Sequence, residues 1–203
     1  MIDRRVWLAS LSCALLALSS CLGNSSTIHT TISALPSEPG IALTINTTYY
    51  SIGGSTAQEL RDEMNRRGPG NSDAYTRWYV SWTYPRVTGE NGCDSGLVEV
   101  SVSVDFTLPQ WTPPANADHE LVKRWEQYMT ALQIHESGHQ DIAVAAGRDV
   151  LQALSALPAY PSCDELDHSM NASGQAILKR YRQQELLYDQ TTDHGAIQGA
   201  RFP

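Results

Sequence analysis

Hydrophobic and polar residues alternate in this chain with two different periods. Between Leu97 and Leu108 the period is two: Val98, Val100, Val102, Val104, Phe106 and Leu108 are interleaved with Glu99, Ser101, Ser103, Asp105 and Thr107. That spacing predicts a strand with one face on a core. Tyr75 to Tyr84 reads the same way, with Trp78, Val80 and Trp82 on one face and Arg77, Tyr79, Ser81 and Thr83 on the other. Its aromatic face is read as core packing rather than as a ligand-stacking surface. The two strands are expected to pair antiparallel. Ile41 to Tyr50, with Ile41, Leu43 and Ile45 on one side, predicts a first strand.

The period then changes to that of a helix. From Asp118 to about Leu157 apolar residues return at helical spacing, among them Leu121, Trp125, Leu132, Ala143, Val150 and Leu154. Asp118 or Asn116 can cap the start, and Pro158 follows the end. A shorter helix is expected from Ser55 or Thr56 to about Arg67, with Leu60 and Met64 inward and Gly68-Pro69-Gly70 beyond it. Another runs from Asp164 to about Tyr188, with Gly174 as its weak point. The pattern is that of an α+β protein: a small antiparallel sheet packed on one long helix and a second, C-terminal helix.

The long helix carries the chemistry. His135-Glu136-Ser137-Gly138-His139 is an H-E-x-x-H sequence. Residues four apart share a helix face, so the two imidazoles can converge on one ion while Glu136 reaches a water beside it. Two histidines and a carboxylate base form the zinc-hydrolase arrangement, with Zn2+ as the expected cofactor. Both histidines lie in the apolar stripe between Leu132 and Ile142, where unpartnered polar rings are costly.

A catalytic zinc ordinarily takes a third protein ligand. The extended H-E-x-x-H-x-x-G-x-x-H pattern fails, because Ala145 stands where its third histidine belongs and Ile142 where its glycine does. The residues that remain are Glu185 and Asp189, four apart, and His194 just beyond them. His29, His119 and His168 lie in the leading segment, at the entry to the long helix and near the start of the next one. Asp141 and Asp189 are candidates for orienting a ligand imidazole, and Arg77 and Tyr188 for stabilising an oxyanion.

The N-terminus describes an exported chain. Arg4 and Arg5 precede a short apolar run from Val6 to Leu18, so residues 1–20 read as a signal peptide. Its end, Leu18-Ser19-Ser20-Cys21, resembles a bacterial lipobox, which implies cleavage before Cys21 and a lipid anchor on it. Residues 21–40, rich in Ser, Thr, Gly and Pro, read as a flexible tether, and residues 41–203 as one domain. Cys13 leaves with the signal and Cys21 carries lipid, so Cys93 and Cys163 remain to form a disulfide. Closing so long a loop is worth about 4 kcal/mol in the chain-entropy treatment. The chain is acidic, with 14 Lys+Arg against 22 Asp+Glu and a net charge of -8, and has no basic patch. Nucleic acid is therefore not among the expected partners.

Several short stretches, taken together, carry a family likeness. They are Asp73-Ala74-Tyr75-Thr76-Arg77-Trp78, Thr107-Leu108-Pro109, His135-Glu136-Ser137-Gly138-His139, Tyr188-Asp189, Thr192-Asp193-His194-Gly195 and Gln198-Gly199-Ala200. From about Tyr49 to the C-terminus the chain resembles the bacterial predicted secreted zinc-dependent proteases grouped as domain of unknown function 922. The resemblance implies a zincin-like fold and a metallopeptidase. It also matches a family histidine to His194, which makes His194 the first choice for third ligand, ahead of Glu185 and Asp189. The expected function is a zinc-dependent peptidase of the bacterial cell envelope, anchored to a membrane by lipid, acting on a peptide or protein substrate with Glu136 as general base. Two alternatives stand beside it: a zinc amidase acting on cell-wall peptides, and a non-catalytic envelope lipoprotein with a structural metal.

Overall fold

The alternating stretch that ends at Trp111 forms the middle of the sheet. In the computed structural model, which describes residues 29–31 and 39–202, the strands are β1 (His29–Thr31), β2 (Ile41–Ile52), β3 (Tyr75–Thr83), β4 (Val87–Gly89), β5 (Gly92–Asp94) and β6 (Glu99–Trp111). The helices are α1 (Ala57–Arg67), α2 (His119–Ser155) and α3 (Cys163–Thr192), followed by a 3-10 turn at Ala196–Gln198. The main sheet has the order β1-β2-β6-β3, and β4 and β5 form a separate ribbon. The α+β class is as the sequence predicts.

β6 pairs antiparallel with β3, from Tyr75 opposite Thr107 to Thr83 opposite Glu99, as expected. Its other neighbour, β2, runs parallel to it, from Ile41 opposite Val100 to Ile52 opposite Trp111. The sheet is therefore mixed rather than wholly antiparallel. Periodicity reports which face a residue takes but not the direction of its strand. The crossover through α1 and β3 is long enough to bring β6 back parallel to β2. β1 pairs antiparallel with β2 and lies inside the stretch read as a tether. The signal peptide, the lipobox at Cys21 and the rest of that tether up to residue 38 lie outside the described residues. Among the described residues, no helix is long and apolar enough to cross a membrane.

The inward face of β6 explains the main core. Val100, Val102 and Val104 are at most 1% exposed and pack with Ala143, Ala146 and Val150 of α2 and with Leu166, Met170 and Leu178 of α3. Each buried valine is worth about 1.5–3 kcal/mol. Trp78, Val80 and Trp82 join this cluster from β3, which is the packing role predicted for them. Gly174 does not interrupt α3. A Cβ there would lie 2.5 Å from Trp82 Cη2, so the missing side chain lets the indole rest on the helix. Ser162 caps α3, and Thr56 with Glu59 makes a capping box on α1.

A second cluster closes the other end. Leu60 and Met64 of α1 meet Leu108 and Trp111 of β6, Trp125 and Tyr128 of α2, and Phe202. Phe202 stands edge-on to Trp125 at 5.3 Å between ring centroids. The chain beyond α3, polar and glycine-rich in sequence, is thus fastened into the core by its one large apolar ring. The predicted Cys93–Cys163 disulfide is present, with 5.0 Å between the Cα atoms. It ties β5 to the first residue of α3, next to a pair of backbone hydrogen bonds between Cys93 and Tyr160.

Candidate metal and catalytic site

α2 carries His135, Glu136 and His139 into the interior, where all three are no more than 6% exposed. The last turns of α3 pass across them. His135 Nε2 lies 3.2 Å and His139 Nε2 3.1 Å from the same oxygen, Asp189 Oδ1. One ligand atom from each of the three residues falls within 4.8 Å of the other two. This is a group able to hold a metal ion.

Helix α3 reaches this position because α2 has no side chain at Gly138. A Cβ there would lie 2.1 Å from the Tyr188 hydroxyl and 2.3 Å from the ring carbon bearing it. The Tyr188 ring stacks on His135, 5.1 Å between centroids and 9° from parallel, and its hydroxyl donates to the His135 carbonyl at 3.0 Å. Tyr188 is thus a buttress beneath the first histidine. Its hydroxyl is already engaged, so it does not take the oxyanion role considered for it from sequence.

The outer nitrogens of both histidines face acceptors. His135 Nδ1 lies 3.0 Å from Gln198 Oε1 and 3.4 Å from Thr192 Oγ1. His139 Nδ1 makes no well-aligned hydrogen bond, and its neighbour Glu185 Oε1 is 3.4 Å away. That oxygen in turn accepts from the Trp78 indole N–H at 2.9 Å. Glu185 therefore meets the outer nitrogen of His139, while Asp189 meets the inner nitrogens of both rings.

Glu136 accepts a 2.5 Å hydrogen bond from Thr76 Oγ1, at the start of β3. Burial pushes its carboxyl above the ordinary value of 4.5, against the Thr76 hydroxyl and the two imidazoles, which pull it down. For His139, burial favours the neutral ring, but Glu185, Asp189 and Glu136 together outweigh it and hold the group above 6.5. Three carboxylates around two imidazoles make a local excess of negative charge that a cation relieves.

His194 is elsewhere in the same cleft. Its Nδ1 is 3.8 Å from Asp189 Oδ1, its side chain is 78% exposed, and it stands outside the three-residue group. Asp193 and His194 both have left-handed backbone, with φ of 51° and 49°. The cleft has a volume of about 650 Å³ and opens between Tyr75, Thr76, Glu136, Leu186 and His194. Arg77 lies to one side, in a smaller hollow with Trp78 and Glu185, its guanidinium over the Tyr75 ring. Asp141, His119 and His168 are exposed. The sequence reading missed Thr76, Trp78 and Gln198 as partners of the site. All three sit in the stretches that carry the family likeness, yet none has ligand or acid–base chemistry to single it out.

At one end of the cleft Arg61 makes a bidentate ion pair with Asp73, at 2.7 and 2.9 Å. Tyr128 donates to the same carboxylate at 2.6 Å, and Tyr50 to the Asp73 backbone carbonyl at 2.5 Å. This half-buried network fixes the loop that leads into β3, and hence the height at which Thr76 meets Glu136.

Fold and site together define an α+β protein with two histidines and a carboxylate gathered at the interior end of an open cleft. The chain belongs to the family described as bacterial protein of unknown function (DUF922), whose sequence profile matches residues 47–195. That span contains His135, Glu136, His139, Glu185, Asp189 and His194. No curated protein and no solved structure matches the chain.

Proposed function

We propose that this protein is a zinc-dependent peptidase of the bacterial cell envelope, exported by its leader and held at a membrane by lipid on Cys21. The observation that carries the reading is the meeting of His135 Nε2 and His139 Nε2 at Asp189 Oδ1. Tetrahedral zinc with bonds of about 2.0–2.1 Å sets its ligand atoms about 3.3 Å apart, and the separations here are 3.2 and 3.1 Å. Two neutral nitrogens and a carboxylate oxygen are a donor set that suits zinc. In this proposal Asp189 takes the ligand position that the family likeness gives to His194. Glu185 orients His139 from outside.

When bound, zinc supplies Lewis acidity toward a carbonyl and acidifies a water molecule. The chain supplies the rest. Glu136 takes the proton of the attacking water and delivers it to the leaving amine. Thr76 holds one carboxylate oxygen of Glu136 and so sets the direction of the other. Among the described residues, β3 is an edge strand of the sheet. Its unpaired side, beginning beside Glu136, can hold an extended peptide by strand addition.

The test is metal content and hydrolysis on the purified protein. Wild type should carry one zinc per chain. His139→Ala and Asp189→Ala should lose it, and His194→Ala should keep it. Glu136→Gln should keep the metal and lose hydrolysis. Zinc lost from His194→Ala but kept in Asp189→Ala would restore His194 as the ligand. An active, metal-loaded Glu136→Gln would remove Glu136 from the base role. Wild type that takes up no metal on reconstitution would end the hydrolase reading. Cleavage of peptidoglycan fragments with casein-like substrates spared would make the enzyme a cell-wall amidase.

A further inference from the structure

We propose that Gln198 is a positioning residue for the metal site: its side-chain carbonyl keeps the proton of His135 on Nδ1 and so presents the Nε2 lone pair to the ion. The proposal rests on the metal reading above and adds to it a residue three positions beyond the family match.

The Tyr188 hydroxyl has one proton, and the His135 carbonyl at 3.0 Å is its nearer acceptor, against 3.5 Å for Gln198 Oε1. Its oxygen is then an acceptor, and the Gln198 Nε2 amide donates to it at 3.1 Å. With its NH2 group committed there, Gln198 turns Oε1 toward His135 Nδ1, at 3.0 Å. An amide oxygen only accepts, so Nδ1 must carry the proton. Thr192 agrees. Its hydroxyl proton goes to the Tyr188 carbonyl at 2.8 Å, which leaves Oγ1 as a second acceptor 3.4 Å from Nδ1. In neutral imidazole a proton on Nδ1 leaves Nε2 bare. In that neutral ring a bare Nε2 at 3.2 Å from a carboxylate oxygen is a contact between two acceptors, which either a proton or a bound cation between them resolves.

The segment bearing Gln198 is built to be held still. The 3-10 turn Ala196–Gln198 lies between Gly195 and Gly199, both left-handed with φ of 84° and 97°. Beyond it, Phe202 is buried among Trp125 and Tyr128, and its carbonyl accepts from Arg61 at 3.2 Å. A glutamine on a free tail would not select a tautomer. Fastened at both ends, this one does.

The experiment measures metal binding by the purified full chain. Zinc affinity is read by competition with a chromophoric chelator, and ligand geometry from the visible absorption of the cobalt(II)-substituted protein. Gln198→Met keeps the length and removes the acceptor. Gln198→Glu keeps the acceptor. Removing a partner of this kind typically weakens metal binding roughly 10–100-fold, so Gln198→Met should fall in that range with an altered cobalt spectrum, while Gln198→Glu should stay within about threefold of wild type. Metal-free thermal melting of both variants separates positioning from misfolding. Wild-type zinc affinity in a folded Gln198→Met would overturn the proposal and leave the metal site standing. So would a folded Gln198→Glu as weak as the Met variant. If wild type binds neither zinc nor cobalt, the metal reading fails and the proposal falls with it.

Discussion

At residue scale, Gly138 shows how a side chain's absence can build a site. A glycine inside a helix costs about 1 kcal/mol relative to alanine. On propensity alone, Gly138→Ala should stabilise α2. The structure reverses the sign. A methyl group there lies 2.1 Å from the Tyr188 hydroxyl, and Tyr188 cannot step aside without losing both its stacking on His135 and its hydrogen bond to the His135 carbonyl. Overpacking of this kind costs about 1–3 kcal/mol. We expect Gly138→Ala to lower the melting temperature and to weaken zinc binding. Adding Tyr188→Ala should recover part of the lost melting temperature, because it removes the clash. Melting curves of the two variants, with and without zinc, check both statements.

At the scale of elements, the site belongs to two consecutive helices, α2 and α3, whose site-bearing turns lie far from the loop that joins them, and α3 is placed from its opposite end. Its C-terminal turns hold Glu185, Tyr188 and Asp189, while its first residue, Cys163, is bonded to Cys93 of β5. Thirty helical residues with Leu166, Met170 and Leu178 in the core transmit that position along the axis. Removing a native disulfide from a small secreted domain costs about 2–5 kcal/mol. The double variant Cys93→Ser, Cys163→Ser should lower the urea midpoint by a corresponding amount in oxidising buffer. In reducing buffer the wild type should approach it. Because the core contacts of α3 remain, the folded variant should still bind zinc at low denaturant.

At the scale of the whole molecule, stability and the proposed metal binding are coupled through protons. Glu136 and His139 both have folded-state values raised above their ordinary 4.5 and 6.5. A raised value means that the folded state binds more protons than the unfolded one across the interval between the two. Stability therefore falls as pH rises through that interval. For the metal-free protein, this part of its stability is fully present below the unfolded values and is lost as pH rises through the folded ones. In the proposed site zinc would need the deprotonated ligands and would replace the lost protons with a cation. The metal-free melting temperature should thus decline from mildly acidic to alkaline pH. The increment added by zinc should grow over the same range. Melting across pH with chelator and with zinc tests the pair. A zinc increment that shrinks with rising pH would contradict it.

What could be read along the chain was whatever depends on neighbours in sequence. The strand faces, the limits of α1 and α2 and the shared face of His135 and His139 all follow from local period and capping residues; the Cys93–Cys163 pairing, 70 positions apart, follows instead by elimination among the cysteines. The end of α3 was less legible. It continues to Thr192, so Tyr188 and Asp189 stand on a helix rather than in a tail. The remainder depends on groups that meet only when the chain is folded. The parallel direction of β2 is invisible to a pattern of period two. Asp189 and His194 are five residues apart, and the family likeness ranks His194 ahead of Asp189 as a ligand. Only the angle at which α3 crosses α2 brings Asp189 between the imidazoles and leaves His194 at the mouth of the cleft. Thr76 reaches Glu136 across 60 positions and Gln198 reaches His135 across 63. Neither residue has chemistry that announces such a role, because hydroxyl and amide groups act by where they are held, and folding is what holds them.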